Sequence, residues 1–119
     1  MNLSNKAKKD ILEFLMRRVC AIANKEYQKR IWIYGKGPEV DSFDDTVCDF
    51  LHEGDAVLEE YKDFGITEVQ YKLLKKLRDE FKAFANENDF PEQFIDTPGW
   101  NRIVQLAKEV LRGFDYEKI

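Results

Sequence analysis

The chain has 119 residues, 44% of them hydrophobic, and a formal net charge of −4. That length supports one domain with a real core, and the hydrophobic share excludes an intrinsically disordered chain. Two cysteines without CxxC spacing, Cys20 and Cys48, exclude a disulfide framework, and no apolar run approaches the ~20 residues of a membrane span.

The N-terminal stretch MNLSNKAKKDILEFL lacks the apolar core and cleavage site of a signal peptide, so cytoplasmic residence is the expectation. A first helix is predicted from about Asn5 to Tyr27 or beyond. Ser4 is its N-cap, and Ile11, Leu12, Leu15, Met16, Val19, Ile22 and Ala23 recur at helical steps. The run IWIY, residues 31–34, reads either as its continuation or as an extended segment. Gly35, Gly37 and Pro38 break the chain. A second helix starts near Asp41 or Ser42, with Asp44 and Asp45 in the first turn, where the helix dipole favours negative charge. Phe43, Val47, Phe50, Leu51, Val57, Leu58 and Tyr61 share its inner face. Gly54 lies on that face too, and either permits close packing or divides the helix in two. Gly65 is its stop.

Thr67 and Gln70 form a capping box that opens a third helix. Leu74, Leu77, Phe81 and Phe84 point inward from it, and it ends near residues 86–88. Phe90, Phe94 and Ile95 in the following loop are expected to plug the core. Thr97 caps the last helix with Pro98 at its first position. Its buried stripe is Trp100, Ile103, Val104, Ala107, Val110, Leu111 and Phe114. These elements predict an all-α fold, a compact antiparallel bundle of four to five helices, as a single helical domain over residues 1–119. Both cysteines fall in helices and are expected as reduced thiols near the core.

The net charge conceals its distribution. Residues 1–36 carry nine Lys/Arg and three Asp/Glu; residues 37–68 carry one lysine and eleven carboxylates; residues 69–119 carry nine of each. A charge concentrated in this way steers partners, whereas a dispersed one mainly confers solubility.

The stretch GKGPEVDSFDDTVCDF, residues 35–50, invites readings as a phosphate loop or a metal site. A Walker loop needs GxxxxGK[ST]; here no Ser/Thr follows Lys36, and Pro38 removes a donor. An EF-hand loop needs alternating oxygens and a terminal glutamate, an order that Asp41, Asp44 and Asp45 lack. Cys48 and His52 stand at i, i+4 without an orienting third group or an oxyanion hole. The basic charges of the first helix go around it without forming a stripe, and no nucleic-acid-binding signature is present. No catalytic, cofactor-binding or metal-ligating residue is assigned, and no cofactor, direct nucleic-acid contact or membrane contact is expected. What remains is an acidic side of the second helix, made by Asp45, Asp49, Glu53, Glu60 and Asp63 and widened by Asp44, Asp55 and Glu59. Like charges at i, i+4 repel, so such a face makes physical sense against a basic protein partner; neutralisation by the basic first helix is the plain alternative. Trp32, Tyr34 and His52 are candidate rim or anchor contacts.

Three stretches, RIWIYGKGPEVDSFDDTVCDFL (30–51), DFGITEVQYKLLKKL (63–77) and FIDTPGWNRIVQLAKEVL (94–111), resemble small all-α immunity proteins of bacterial contact-dependent growth inhibition and other polymorphic toxin systems. The resemblance covers a little under half of the chain. It implies a cytoplasmic, non-enzymatic protein that binds a cognate toxin domain and blocks its active site. Many such toxins are nucleases with basic substrate grooves, which an acidic surface can fill as a phosphate mimic. The expectation is therefore an immunity protein that neutralises a toxin through its acidic helix face; the alternative is a helical adaptor or regulator of a host protein.

Overall fold

Four long helices carry the architecture of the computed structural model, which describes residues 3–116. They are α1 (Asn5–Ala23), α3 (Phe43–Glu59), α4 (Glu68–Glu87) and α6 (Pro98–Gly113). Two short helices, α2 (Lys25–Tyr27) and α5 (Pro91–Phe94), complete the set. No strand occurs among the described residues, and none of their helices is long and apolar enough to cross a membrane. The expected single-domain span of 1–119 includes five terminal residues that lie outside the described ones.

The helix starts follow local chemistry. Ser4 Oγ accepts from Ala7 N at 3.0 Å, and Ser42 Oγ accepts from Asp45 N at 3.1 Å. Thr67 and Gln70 form the reciprocal capping box, at 2.9 and 3.1 Å. Thr97 caps α6 with Pro98 behind it. Each cap satisfies a backbone N–H that the helix itself leaves unpaired.

The first helix ends earlier than its periodicity suggested. Asn24 is extended (φ −117°, ψ 99°) and caps the next turn by accepting from Tyr27 N. The chain then runs through α2 into a π-helical turn, Gln28–Ile33, so the ambiguous IWIY is helical up to Ile33. The wider π turn brings Gln28 and Ile31 into the interior and leaves Tyr34 outside.

The core is built by contacts of α1 with α3 and α6, and of α4 with α3 and α6. Trp100 is fully buried, and its ring lies 4.9–6.2 Å from those of Trp32, Phe43, Phe81, Phe84 and Phe94. These edge-on and tilted arrangements are favoured by the ring quadrupole. Thr46 is also buried, although the apolar pattern of α3 passed over it. Phe90, expected as a plug, is 55% exposed, whereas Phe94 and Ile95 are buried as expected. Cys20 is half-buried but Cys48 is exposed, which corrects its expected place near the core.

Gly54 does not divide α3, which runs unbroken across it. It is buried, and a Cβ there would sit 3.9 Å from Leu15 Cδ1, an ordinary van der Waals distance. Gly54→Ala is therefore expected to stabilise the protein by about 0.5–1 kcal/mol through helix propensity, read as a higher urea midpoint. A lower midpoint would show that the α1–α3 crossing tolerates no methyl group.

Candidate partner-binding face

The eleven carboxylates of residues 37–68 do not form one stripe. α3 ends at Glu59, with Glu60 outside helical geometry (φ −125°, ψ 38°) and Gly65 in the left-handed region at φ 72°. Glu60 and Asp63 therefore sit in the following turn, not on the helix where the 100° projection put them. Asp45, Asp49 and Glu53 lie one turn apart on the flank of α3 that faces α1. Asp55 lies on the flank that faces α4.

Each flank meets a guanidinium from its neighbour. Arg18 of α1 places Nη2 3.7 Å from Asp49 Oδ2 and Nε 3.3 Å from Glu53 Oε1. Arg78 of α4 grips Asp55 in bidentate fashion, at 2.7 and 3.2 Å. The middle of the acidic face is thus compensated internally, by residues that composition alone could not assign. The two guanidinium contacts differ in quality. The Arg78 bonds are short and paired, whereas Arg18 Nε and Glu53 Oε1 are both buried without a hydrogen bond. Burial pushes the Glu53 carboxyl above the ordinary range, Arg18 opposes that shift, and Asp49 adds to it.

The ends of the face are different. Asp44 and Asp45 at the start of α3 are exposed, as are Glu59 at its far end and Asp63 in the turn beyond, and none of the four makes an ion pair among the described residues. At 1.5 Å per residue, Asp45 and Glu59 are roughly 21 Å apart along the axis. The uncompensated charge is therefore in two places.

The loop before α3 is held stiffly. Arg30 donates to both oxygens of Glu39 at 2.8 and 2.9 Å and to Lys36 O at 3.1 Å. Hydrogen bonding from Arg30 is the main reason the Glu39 carboxyl falls to about 2. Gly37, at φ 143°, packs against this clasp so closely that a Cβ would overlap the Arg30 guanidinium. At the other end of the loop, Asp41 collects four donors. Its Oδ2 accepts from Tyr27 Oη at 2.7 Å and from Trp32 Nε1 at 3.1 Å. Its Oδ1 accepts from Ser42 N at 2.8 Å, and the Thr46 hydroxyl reaches both oxygens. Burial, and then this bond to Asp41, raise the Tyr27 phenol far above its usual range. Asp41 is thus a structural acceptor inside the stretch that first suggested a metal site.

Two apolar side chains stand out from this clamped loop: Tyr34, 67% exposed, and Val40, 98% exposed. Tyr34 was expected as a contact residue and is placed where a partner can reach it. Trp32 is not; it is half-buried against Phe43 and Trp100, with its indole N–H committed to Asp41. His52 and Cys48 are both exposed, and no hydrogen bond joins them. Sequence reasoning missed Val40 and Arg78, and counted Arg18 only as one charge of the basic first helix, whose neutralisation of the acidic segment was the plain alternative. Arg18 is the residue through which that helix reaches Asp49 and Glu53. Val40 follows the GKGP break and carried no periodic signal. The two arginines are single members of charged helices, and only packing shows which carboxylates they face.

Between α1 and the start of α3 a cleft of about 420 Å³ opens, with Arg17 and Arg18 on one wall and Asp41, Asp45 and Asp49 on the other. No family model, curated protein or solved structure matches the chain.

Proposed function

We propose that this protein is an immunity protein: it binds a cognate bacterial toxin domain, most simply a nuclease, and neutralises it by covering a basic substrate groove. It acts in the cytoplasm as an antiparallel helical bundle, by stoichiometric occupation and without a catalytic centre or cofactor. One observation carries the reading. Asp44 and Asp45 stand uncompensated beside a rigid loop that exposes Tyr34 and Val40. Fixed charge next to preorganised apolar side chains is what a rapid, tight protein contact requires, because steering raises the encounter rate and rigidity reduces the ordering cost. The resemblance of residues 30–51 to immunity proteins falls on this same region.

The test is binding to the toxin encoded beside the protein. Asp44→Lys/Asp45→Lys is expected to weaken the complex by about 100-fold, because like charges would then face each other across the contact. It should also flatten the dependence of affinity on salt. Both residues are exposed and bear no ion pair, so the fold is retained. An affinity and salt slope equal to those of the parent protein would overturn the charge argument.

A further inference from the structure

We propose that the cleft between α1 and the start of α3 receives an arginine side chain of the partner, with Asp45 and Asp49 as its acceptors. This deepens the reading above by naming the group that the partner contributes; it relies on that reading for who the partner is, and not for the chemistry of the cleft.

The charges facing the cleft favour a cation. Arg17 is already opposed by Glu13 at 3.5 Å on its own helix. Asp41 is engaged by its four internal donors. What remains on the cleft walls is Asp45 and Asp49 against Arg18 alone. Arg18 is shared between Asp49 at 3.7 Å and Glu53 at 3.3 Å, the latter outside the cleft lining, and Asp45 makes no ion pair among the described residues. The acceptor capacity of Asp45 and Asp49 is therefore open to an incoming donor.

The spacing favours arginine over lysine. Carboxylates at i and i+4 have Cβ atoms roughly 6 Å apart. A planar guanidinium with donors on both terminal nitrogens can bridge that gap, whereas an ammonium is a point charge. The remaining surfaces suit an aliphatic stem. Tyr27, Cys20 and Val40 line the cleft, and burial, followed by Glu13, pushes the Cys20 thiol up to about 11, so the thiol itself adds no charge there. Val40 sits on the lip held by the Arg30–Glu39 clasp, so the cleft is formed before anything enters it.

The probe is N-acetyl-argininamide, a single guanidinium with no carboxylate, titrated into the ¹⁵N-labelled protein. Saturable shifts confined to the amides around Tyr27, Val40, Asp45 and Asp49 are expected. N-acetyl-lysinamide should bind at least about 5-fold more weakly. Asp45→Asn should weaken the arginine probe by a similar factor, while Asp63→Asn, at the remote end of the acidic region, should leave it unchanged. Equal binding of the two amides, shifts spread over all carboxylates, or an unaltered titration in Asp45→Asn would each overturn the proposal. The two readings fail separately. Toxin capture that is indifferent to Asp45→Asn removes the arginine site and leaves the immunity role. A specific arginine titration in a protein that captures no toxin does the reverse.

Discussion

Gln28→Leu is expected to destabilise the protein by about 3–4 kcal/mol, a large share of the ~5–15 kcal/mol that a domain of this kind possesses. Gln28 is completely buried. Its Nε2 donates to Ala21 O and Ile22 O, both at 2.8 Å, and its Oε1 accepts from Trp100 Nε1 at 2.9 Å. The two carbonyls belong to the last turn of α1, where no intrahelical donor exists. One side chain thus closes the end of α1 and satisfies the only polar atom of the central indole. Leucine fills the space but leaves a buried N–H and two carbonyls without partners. Thermal unfolding should show a melting point lower by roughly 10–20 °C. Gln28→Glu provides a sharper control. It keeps the acceptor for Trp100 but places a carboxylate against two carbonyl oxygens, which raises its folded pKa. A carboxyl with a raised folded pKa loses stability as pH rises through its ordinary range, so this variant should be weaker at neutral than at mildly acidic pH. Equal stability of parent and leucine variant would mean that the two carbonyls and the indole find other partners.

Asp41→Ala is expected to cost about 2–3 kcal/mol and to loosen the loop over residues 35–41. Four donors lose their acceptor together, and one of them, the hydroxyl of buried Thr46, has no access to water. The hydroxyl can turn to a carbonyl one helical turn back, which limits the loss; the Trp32 indole N–H has no such freedom. Asp41→Asn should be nearly as damaging, because its amide would present N–H groups to the Tyr27 and Trp32 donors. Hydrogen exchange at Ser42 N, which is bonded to Asp41 Oδ1 at 2.8 Å, reports the loop directly and should speed up in both variants. Since Val40 and Asp45 flank this hub and Asp41 itself lines the cleft, partner affinity should fall as well. Unchanged exchange at Ser42 would show that the Arg30–Glu39 clasp alone orders the loop.

These two residues also show where sequence reasoning stopped. Gln28 lies in the polar string KEYQKR and has no apolar signature; its partner Trp100 is 72 positions away. Asp41 read as one carboxylate of an acidic cluster, and its tie to Tyr27 spans a loop and the turn of the chain. The π turn was hidden for a related reason. IWIY fits a strand or a helix by residue type, and the choice came from the pull of Gln28 and Ile31 into the interior. By contrast, the capping box at Thr67, the N-cap at Thr97 and the stripe of α6 were read almost to the residue, because each depends on neighbours within one or two turns. By residue type Gly54 allows either close packing or a break, and the helix runs intact across it; Glu60 was misplaced, because the end of α3 came six residues before the glycine expected to stop it.

The sequence by itself determined that the chain is helical, where its long helices begin, which stripes they bury, and that negative charge gathers in residues 37–68. All of these follow from hydrogen bonds, caps and periodicities that act within a few residues. Only the tertiary structure decided which of those charges remain available. Coulomb interaction depends on distances of a few ångströms between helices that are remote in the chain. Packing brought Arg18 to Asp49 and Glu53, brought Arg78 to Asp55, and enclosed Asp41 among four donors. What composition presented as one acidic face became a compensated middle with open ends. One of those ends, at Asp45, borders a cleft and a stiff loop that the residue pattern had no means to reveal.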